Sequence, residues 1–180
     1  VTAAGGGVGT AAVQLAKLWG ARVFAAAGSE EKLTRVKALG ADEIINYLTQ
    51  DLAEEVRRRT DGQGVDLILD SVGGEVFEKG LKVLRLFGRV VTFGNSSGQA
   101  RKVDDLVLQQ KSQTLAGLSL GGLRAQRPEF IRPGCEEILR LLADGKVRPV
   151  IGRTLPLREA AEAQRFIASR ASFGKIMLVP

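Results

Sequence analysis

Val1-Thr2-Ala3-Ala4-Gly5-Gly6-Gly7-Val8-Gly9-Thr10-Ala11-Ala12 runs directly into the helix-like stretch Val13 to Trp19. A short apolar segment meets a glycine turn, and the turn meets a helix start. This junction aims backbone N–H groups and the positive end of a helix dipole at one point, an arrangement that takes up a pyrophosphate. The G-x-G-x-x-G spacing of dinucleotide-binding turns appears as Ala4-x-Gly6-x-x-Gly9, with alanine replacing the first glycine. Gly5 and Gly6 allow close backbone approach, Gly7 and Val8 offer N–H groups, and Gly9 allows tight packing of helix on strand. Taken alone, a glycine turn also closes ordinary helix–strand corners. Only Val1 and Thr2 precede the turn where a full strand is expected, and no initiator Met is present, so an upstream part is expected.

Outward from the turn, strand-like and helix-like segments alternate, the pattern of an α/β, Rossmann-type, doubly wound parallel sheet with helices on both faces. The spacing predicts strands at Ala21 to Ala27, Glu43 to Tyr47, Val65 to Asp70, Arg89 to Phe93 and about Gln113 to Leu120. Helices are expected at Gly9 to Trp19, from the cap Ser29 to Gly40, Asp51 to Thr60, Gly73-Gly74 to Leu84, and Val103 to Gln110. Farther on, Ile131, Cys135, Ile138 and Leu142 share a helical face whose first turn Pro133-Gly134 should break. An extended Arg148 to Leu155, a helix at Leu157 to Ser169 and a strand at Gly174 to Val179 complete the chain.

Composition narrows the chemistry. With 180 residues and 44% hydrophobic content the chain suffices for one sizeable core. No apolar run approaches the roughly 20 residues of a membrane span, and no signal peptide is visible, so no membrane partner and a cytoplasmic location are expected. The single cysteine, Cys135, excludes an internal disulfide and any CxxC motif. The absence of histidine excludes Ser-His and Cys-His nucleophiles and His-containing zinc sites within this stretch, so no metal ligand and no catalytic residue is assigned here. The net charge of +6 is spread among interleaved acids, with one Trp and one Tyr for stacking, which argues against nucleic acid. Arg57 to Arg59 reads as a solvated helix face.

The second strand supplies the cofactor signal. An NAD-selecting turn places a carboxylate there, roughly 20 residues past the glycines, to bind the ribose hydroxyls. Gly28 stands in that place. Gly28-Ser29 leaves room for a 2′-phosphate, and Lys32, one turn into the next helix, could bring the positive charge, which favours NADPH. Surface pairing of Lys32 with Glu30 or Glu31 is an equal alternative, and either acid could instead turn toward the ribose.

AAGGGVGTAAVQLAKLWGARVFAAAGSEEKL, KALGADEIINY, VDLILDSVGGE, GRVVTFGNSSG and LPLREAAEAQRF…FGKIMLVP together resemble the medium-chain dehydrogenase/reductase superfamily, nearest its zinc-independent NADPH:quinone oxidoreductase (zeta-crystallin-like) branch. The resemblance covers essentially the whole chain. It implies a Rossmann domain over 1–147 with a truncated first strand, and a segment 148–180 that rejoins an upstream GroES-like catalytic domain. It further implies a 2′-phosphate clamp of Ser29, Lys32, Tyr47 and Arg170, against readings of Tyr47 as a half-buried strand residue and Arg170 as a helix-end cation. Gly74 and Phe93-Gly94-Asn95-Ser96 resemble positions along the ribose and nicotinamide half, and Leu118-Ser119-Leu120 the strand whose backbone holds the carboxamide. Turn glycines and edge-strand core are the plainer readings of these.

The implied activity is hydride transfer from NADPH to a small-molecule quinone or conjugated carbonyl (enone), by an enzyme that the present stretch alone would not complete. A zinc alcohol dehydrogenase of the same superfamily, an enoyl reductase module and a non-catalytic NADPH-binding protein are the alternatives. A homodimer through the sheet edge near Gln113 to Leu120 is expected, since the uncovered edge carries Leu115, Leu118 and Leu120.

Overall fold

A computed structural model describes all 180 residues. After the turn, α1 spans Gly7–Leu18 and buries Gly9, Thr10 and Val13. β1 (Phe24–Ala27) pairs in parallel with β2 (Glu43–Asn46), and between them α2 (Glu30–Lys37) buries Leu33 and Val36. Burial of such an aliphatic side chain contributes about 1.5–3 kcal/mol. The Ser29 hydroxyl accepts from Lys32 N at 3.3 Å, capping α2 as expected, with Glu30 and Glu31 in its first turn. α3 (Leu52–Arg59) is capped by Asp51, and β3 (Val65–Asp70), α4 (Gly74–Lys82) and β4 (Leu84–Thr92) follow. α5 (Asp105–Gln110) leads to β5 (Thr114–Gly117).

Val1 to Ala4 joins the two groups of strands. Ala4 N donates to Ala26 O and Ala26 N to Val1 O, while on the other side Thr2 N donates to Leu69 O, all within 3.0 Å. The sheet order is therefore β2, β1, the Val1–Ala4 segment, β3, β4, β5, with every pairing of named strands parallel. Strand order reverses at the Val1–Ala4 segment, so the glycine turn lies at the topological switch point, where open α/β sheets hold ligands. β5 is the edge strand, as expected.

Two expectations need correction. The strand predicted through Leu120 stops at Gly117, because the Ser119 hydroxyl accepts from Gly122 N at 3.1 Å and starts α6 (Leu120–Gln126). Only Leu118 continues the ladder, through its N–H to Thr92 O at 2.8 Å. Pro133 does not break a helix: it stands in the first turn of α7 (Arg132–Ala143), where an amide has no intrahelical acceptor to lose. Leu141 carries the burial of α7, and Cys135 is exposed. The chain ends with β6 (Ile151–Pro156), α8 (Ala160–Ala168) and β7 (Lys175–Val179). β6 and β7 pair in parallel as a separate sheet. It meets the glycine turn through Gly174 N, which donates to Gly5 O at 2.8 Å.

Candidate nucleotide site at the glycine turn

Gly6 is the N-cap of α1 in extended conformation, and no side chain bonds the helix end. The first turn contains no acid, so the amides of Gly7, Val8 and Gly9 lack both an intrahelical acceptor and a carboxylate partner. The geometry requires glycine at position 9. A Cβ there would lie 2.3 Å from Ala3 O and 2.6 Å from Ala4 Cα, both backbone atoms that cannot move aside. A Cβ on Gly5 or Gly7 would instead meet the side chains of Lys32 or Lys175, at 3.1 and 2.8 Å. The stem of Lys32 thus lies across the turn from one side and that of Lys175 from the other. Lys175 is a cation that the sequence analysis did not single out, because its proximity depends on the long-range docking of Gly174 on Gly5.

Above the turn opens a cleft of about 440 Å³, whose lining includes Gly5, Gly6, Gly28, Lys32, Tyr47, Ser96 and Arg170. The Tyr47 ring faces Gly28: a Cβ on Gly28 would stand 3.4 Å from the ring edge and 3.5 Å from the hydroxyl. Burial pushes the Tyr47 phenol above its ordinary pKa, and the Arg170 charge nearby opposes that shift. Lys32 Nζ donates to the Arg170 carbonyl at 2.5 Å, and burial holds the Lys32 ammonium below its ordinary range. Neither suspected acid partners Lys32. Glu31 faces Arg35 at 3.7 Å, and Glu30 accepts from Asn46 Nδ2 at 2.7 Å. Arg170 follows α8 with a left-handed φ of 59°, a conformation that costs a non-glycine residue about 1–2 kcal/mol.

Toward the other end of the cleft, Asp70 at the end of β3 is fully buried. It accepts from Thr2 Oγ1 at 2.9 Å, from the Val72 and Gly73 amides, and from Arg101 at 3.1 Å. Arg101 also donates to Gly94 O, and its guanidinium and the side chain of Gln99 lie over Gly73 and Gly74. Asp70, Gln99 and Arg101 therefore fix the turn to which Gly74 belongs, and no local motif marked Gln99 or Arg101. Phe93 N donates to Asp70 O, Gly94 packs on Ser71, and Asn95 Oδ1 approaches Gly73, so the Phe93–Ser96 loop does border this end. Val8 is exposed on α1, Ser29 is engaged as a cap, and none of Leu118, Ser119 and Leu120 lines the cleft. A cavity of about 470 Å³ lies at the opposite ends of the strands, between Phe24 and Leu67; ligands in open parallel sheets bind at the carboxyl ends instead.

Strand order, glycine turn and cleft define a class, the Rossmann-type nucleotide-binding domain. Residues 7–133 match the family described as zinc-binding dehydrogenase. The 2-haloacrylate reductase of a Burkholderia species is 36% identical across all of this chain and 54% of its own length. Escherichia coli quinone oxidoreductase, solved in complex with NADPH, superposes with a TM-score of 0.89 at 35% identity over 99% of this chain and 56% of that one. A structure described as an NAD-dependent alcohol dehydrogenase gives 0.88 at 41% identity, covering 99% of this chain and 50% of the other. The chain belongs to the zinc-binding dehydrogenase family, within the medium-chain dehydrogenase/reductase superfamily. It spans about half the length of these relatives. The family's name brings no zinc site into this chain, whose Cys, Asp and Glu residues form no group of three placed to hold a metal.

Proposed function

We propose that this chain is the NADPH-binding domain of an oxidoreductase that passes hydride to a quinone or conjugated carbonyl. The observation that carries the cofactor assignment is the meeting of Lys32, Tyr47 and Arg170 around Gly28, from three separate parts of the chain, with neither cation in a salt bridge, although the Glu31 charge acts on Lys32. Gly28 has no side chain to fill the space, Lys32 and Arg170 supply charge, and the Tyr47 hydroxyl supplies a donor, which together suit a 2′-phosphate. The bare end of α1 suits the diphosphate, with Gly7 and Val8 N–H groups as donors and Lys175 as a nearby cation. The bound cofactor would supply the hydride; this chain's residues hold and orient it. Asp70 and Arg101 keep the Gly73-Gly74 turn and the Phe93–Ser96 loop in place along the cofactor's other half.

The acceptor class follows from the E. coli quinone oxidoreductase and the 2-haloacrylate reductase, whose names describe a quinone and a conjugated acid. We assign residues 1–147 to the nucleotide domain and 148–180 to a segment that joins a GroES-like catalytic domain, and we propose a homodimer through β5. Leu115 and Leu118 are exposed there, beside Leu106 and Leu120. No helix is long and apolar enough to cross a membrane. Steady oxidation of NADPH by the full-length protein with a simple quinone or enone tests the activity. Tight NADPH binding without oxidation by either acceptor would replace it with a sensing or structural role.

A second reading, NAD, has its own support in the alcohol dehydrogenase relative and in Glu30, two residues beyond Gly28. The placement of that carboxylate weighs against it.

A further inference from the structure

Glu30 occupies the first turn of α2, close in sequence to where an NAD-selecting carboxylate stands, and it is exposed enough to turn. Asn46 at the end of β2 holds it. The Asn46 side chain is buried at 4% exposure. Its Oδ1 accepts from Leu48 N at 3.1 Å, and this leaves Nδ2 to donate to Glu30 Oε1 at 2.7 Å. A flipped amide would set its NH2 against the Leu48 N–H and its oxygen against the Glu30 carboxylate, so the orientation is fixed from both sides. The Asn46 backbone is also engaged, its N–H donating to Gln50 Oε1 and its carbonyl accepting from the Thr49 and Gln50 amides. Neither Glu30 nor Asn46 lines the cleft, although Gly28, Lys32, Tyr47 and Leu48 do.

We propose that Asn46 is a specificity-determining positioning residue, which ties the Glu30 carboxylate outside the cleft and so keeps the adenosine end selective for a 2′-phosphate. Released, Glu30 would oppose the phosphate by like charge and offer a ribose hydroxyl pair an acceptor. Asn46 touches no ligand and acts through Glu30. The inference rests on the NADPH reading above, and the two fail separately: the parent's NADPH-to-NADH affinity ratio reports on that reading. Differences among variants report on Asn46, and they are expected at any parent ratio.

The test is calorimetric titration of the full-length protein with NADPH and with NADH. Asn46→Asp keeps the shape and the bond from Leu48 N but turns the donor facing Glu30 into a repelling oxygen. Its NADPH-to-NADH ratio should fall at least about tenfold, a change of about 1.4 kcal/mol. The exchanged pair Asn46→Asp with Glu30→Gln rebuilds a donor and acceptor at the parent's net charge, and should return the ratio to within about threefold of the parent's. Asn46→Ser, which adds no charge, should lower the ratio in the parent and leave it unchanged in a Glu30→Gln background. This second pair serves if Asn46→Asp does not fold. A ratio unmoved by Asn46→Ser, or an equal fall with and without Glu30, would overturn the proposal and leave Asn46 a purely structural residue.

Discussion

Lys32→Met separates charge from packing at the proposed clamp. The Lys32 stem covers Gly5 and its ammonium reaches the Arg170 carbonyl, so an alanine would remove both the cover and the charge. Methionine keeps most of the stem. A 2′-phosphate carries close to two negative charges at neutral pH, and a hydrogen bond between charged groups contributes about 1.5–3 kcal/mol. Lys32 must leave the Arg170 carbonyl to make that bond, which places the net loss near the lower figure. NADPH should therefore bind Lys32→Met roughly 10-fold to 30-fold more weakly than the parent. NADH has no phosphate there and should change less than about threefold, since the diphosphate amides on α1 are untouched. Fluorescence titration of full-length parent and variant with both nucleotides measures the difference. Equal weakening of both, or no change in NADPH affinity, would refute the reasoning.

Arg170→Gly should make the fold more stable by about 0.5–1 kcal/mol in chemical denaturation, because glycine accepts the left-handed backbone, while NADPH selectivity falls. Gly9→Ala should destabilise by about 3 kcal/mol, since its Cβ meets the backbone of Ala3 and Ala4; a loss below about 1 kcal/mol would show that α1 can retreat from the sheet. For the dimer, the Leu118 N–H points inward to Thr92 O. Amides alternate along a strand, so Leu115 N faces the free edge, and Leu115→Pro should yield monomers in sedimentation with the fold intact. The NADPH preference should rise as pH passes about 6, where the phosphate takes its second charge, and fall at high pH as Lys32 deprotonates below its ordinary pKa. Titration at three pH values checks this, and a flat ratio would contradict it.

Local chemistry made most of the fold legible. The cap Ser29, the helix start at Asp51 and the apolar run Val65 to Asp70 are short-range signals, and α2, α3 and β3 lie where they indicate. Errors arose where one local signal outweighed another: Ser119 read as strand although its hydroxyl starts a helix, and Pro133 read as a breaker although it opens one. At the site, the glycine turn was visible as a contiguous motif, and Lys32 because it lies one helical turn beyond Gly28-Ser29. Lys175, Arg101 and the Asn46–Glu30 bond were not, because each depends on elements that meet only after the sheet assembles. Whether Lys32 paired with Glu30 or Glu31 could not be decided from spacing; Glu30 is held by Asn46, and Glu31 lies 3.7 Å from Arg35 while its charge still acts on Lys32.

A crystal structure of the full-length protein with NADPH bound would show whether one cleft holds the cofactor with its 2′-phosphate on Lys32 and Arg170. Phosphate oxygens are expected within hydrogen-bond distance of Lys32 Nζ and the Arg170 guanidinium, with the Tyr47 hydroxyl beside them and the diphosphate on the amides of Gly7 and Val8. A 2′-phosphate turned to solvent away from Lys32 and Arg170, or a diphosphate bound anywhere but the start of α1, would contradict this placement.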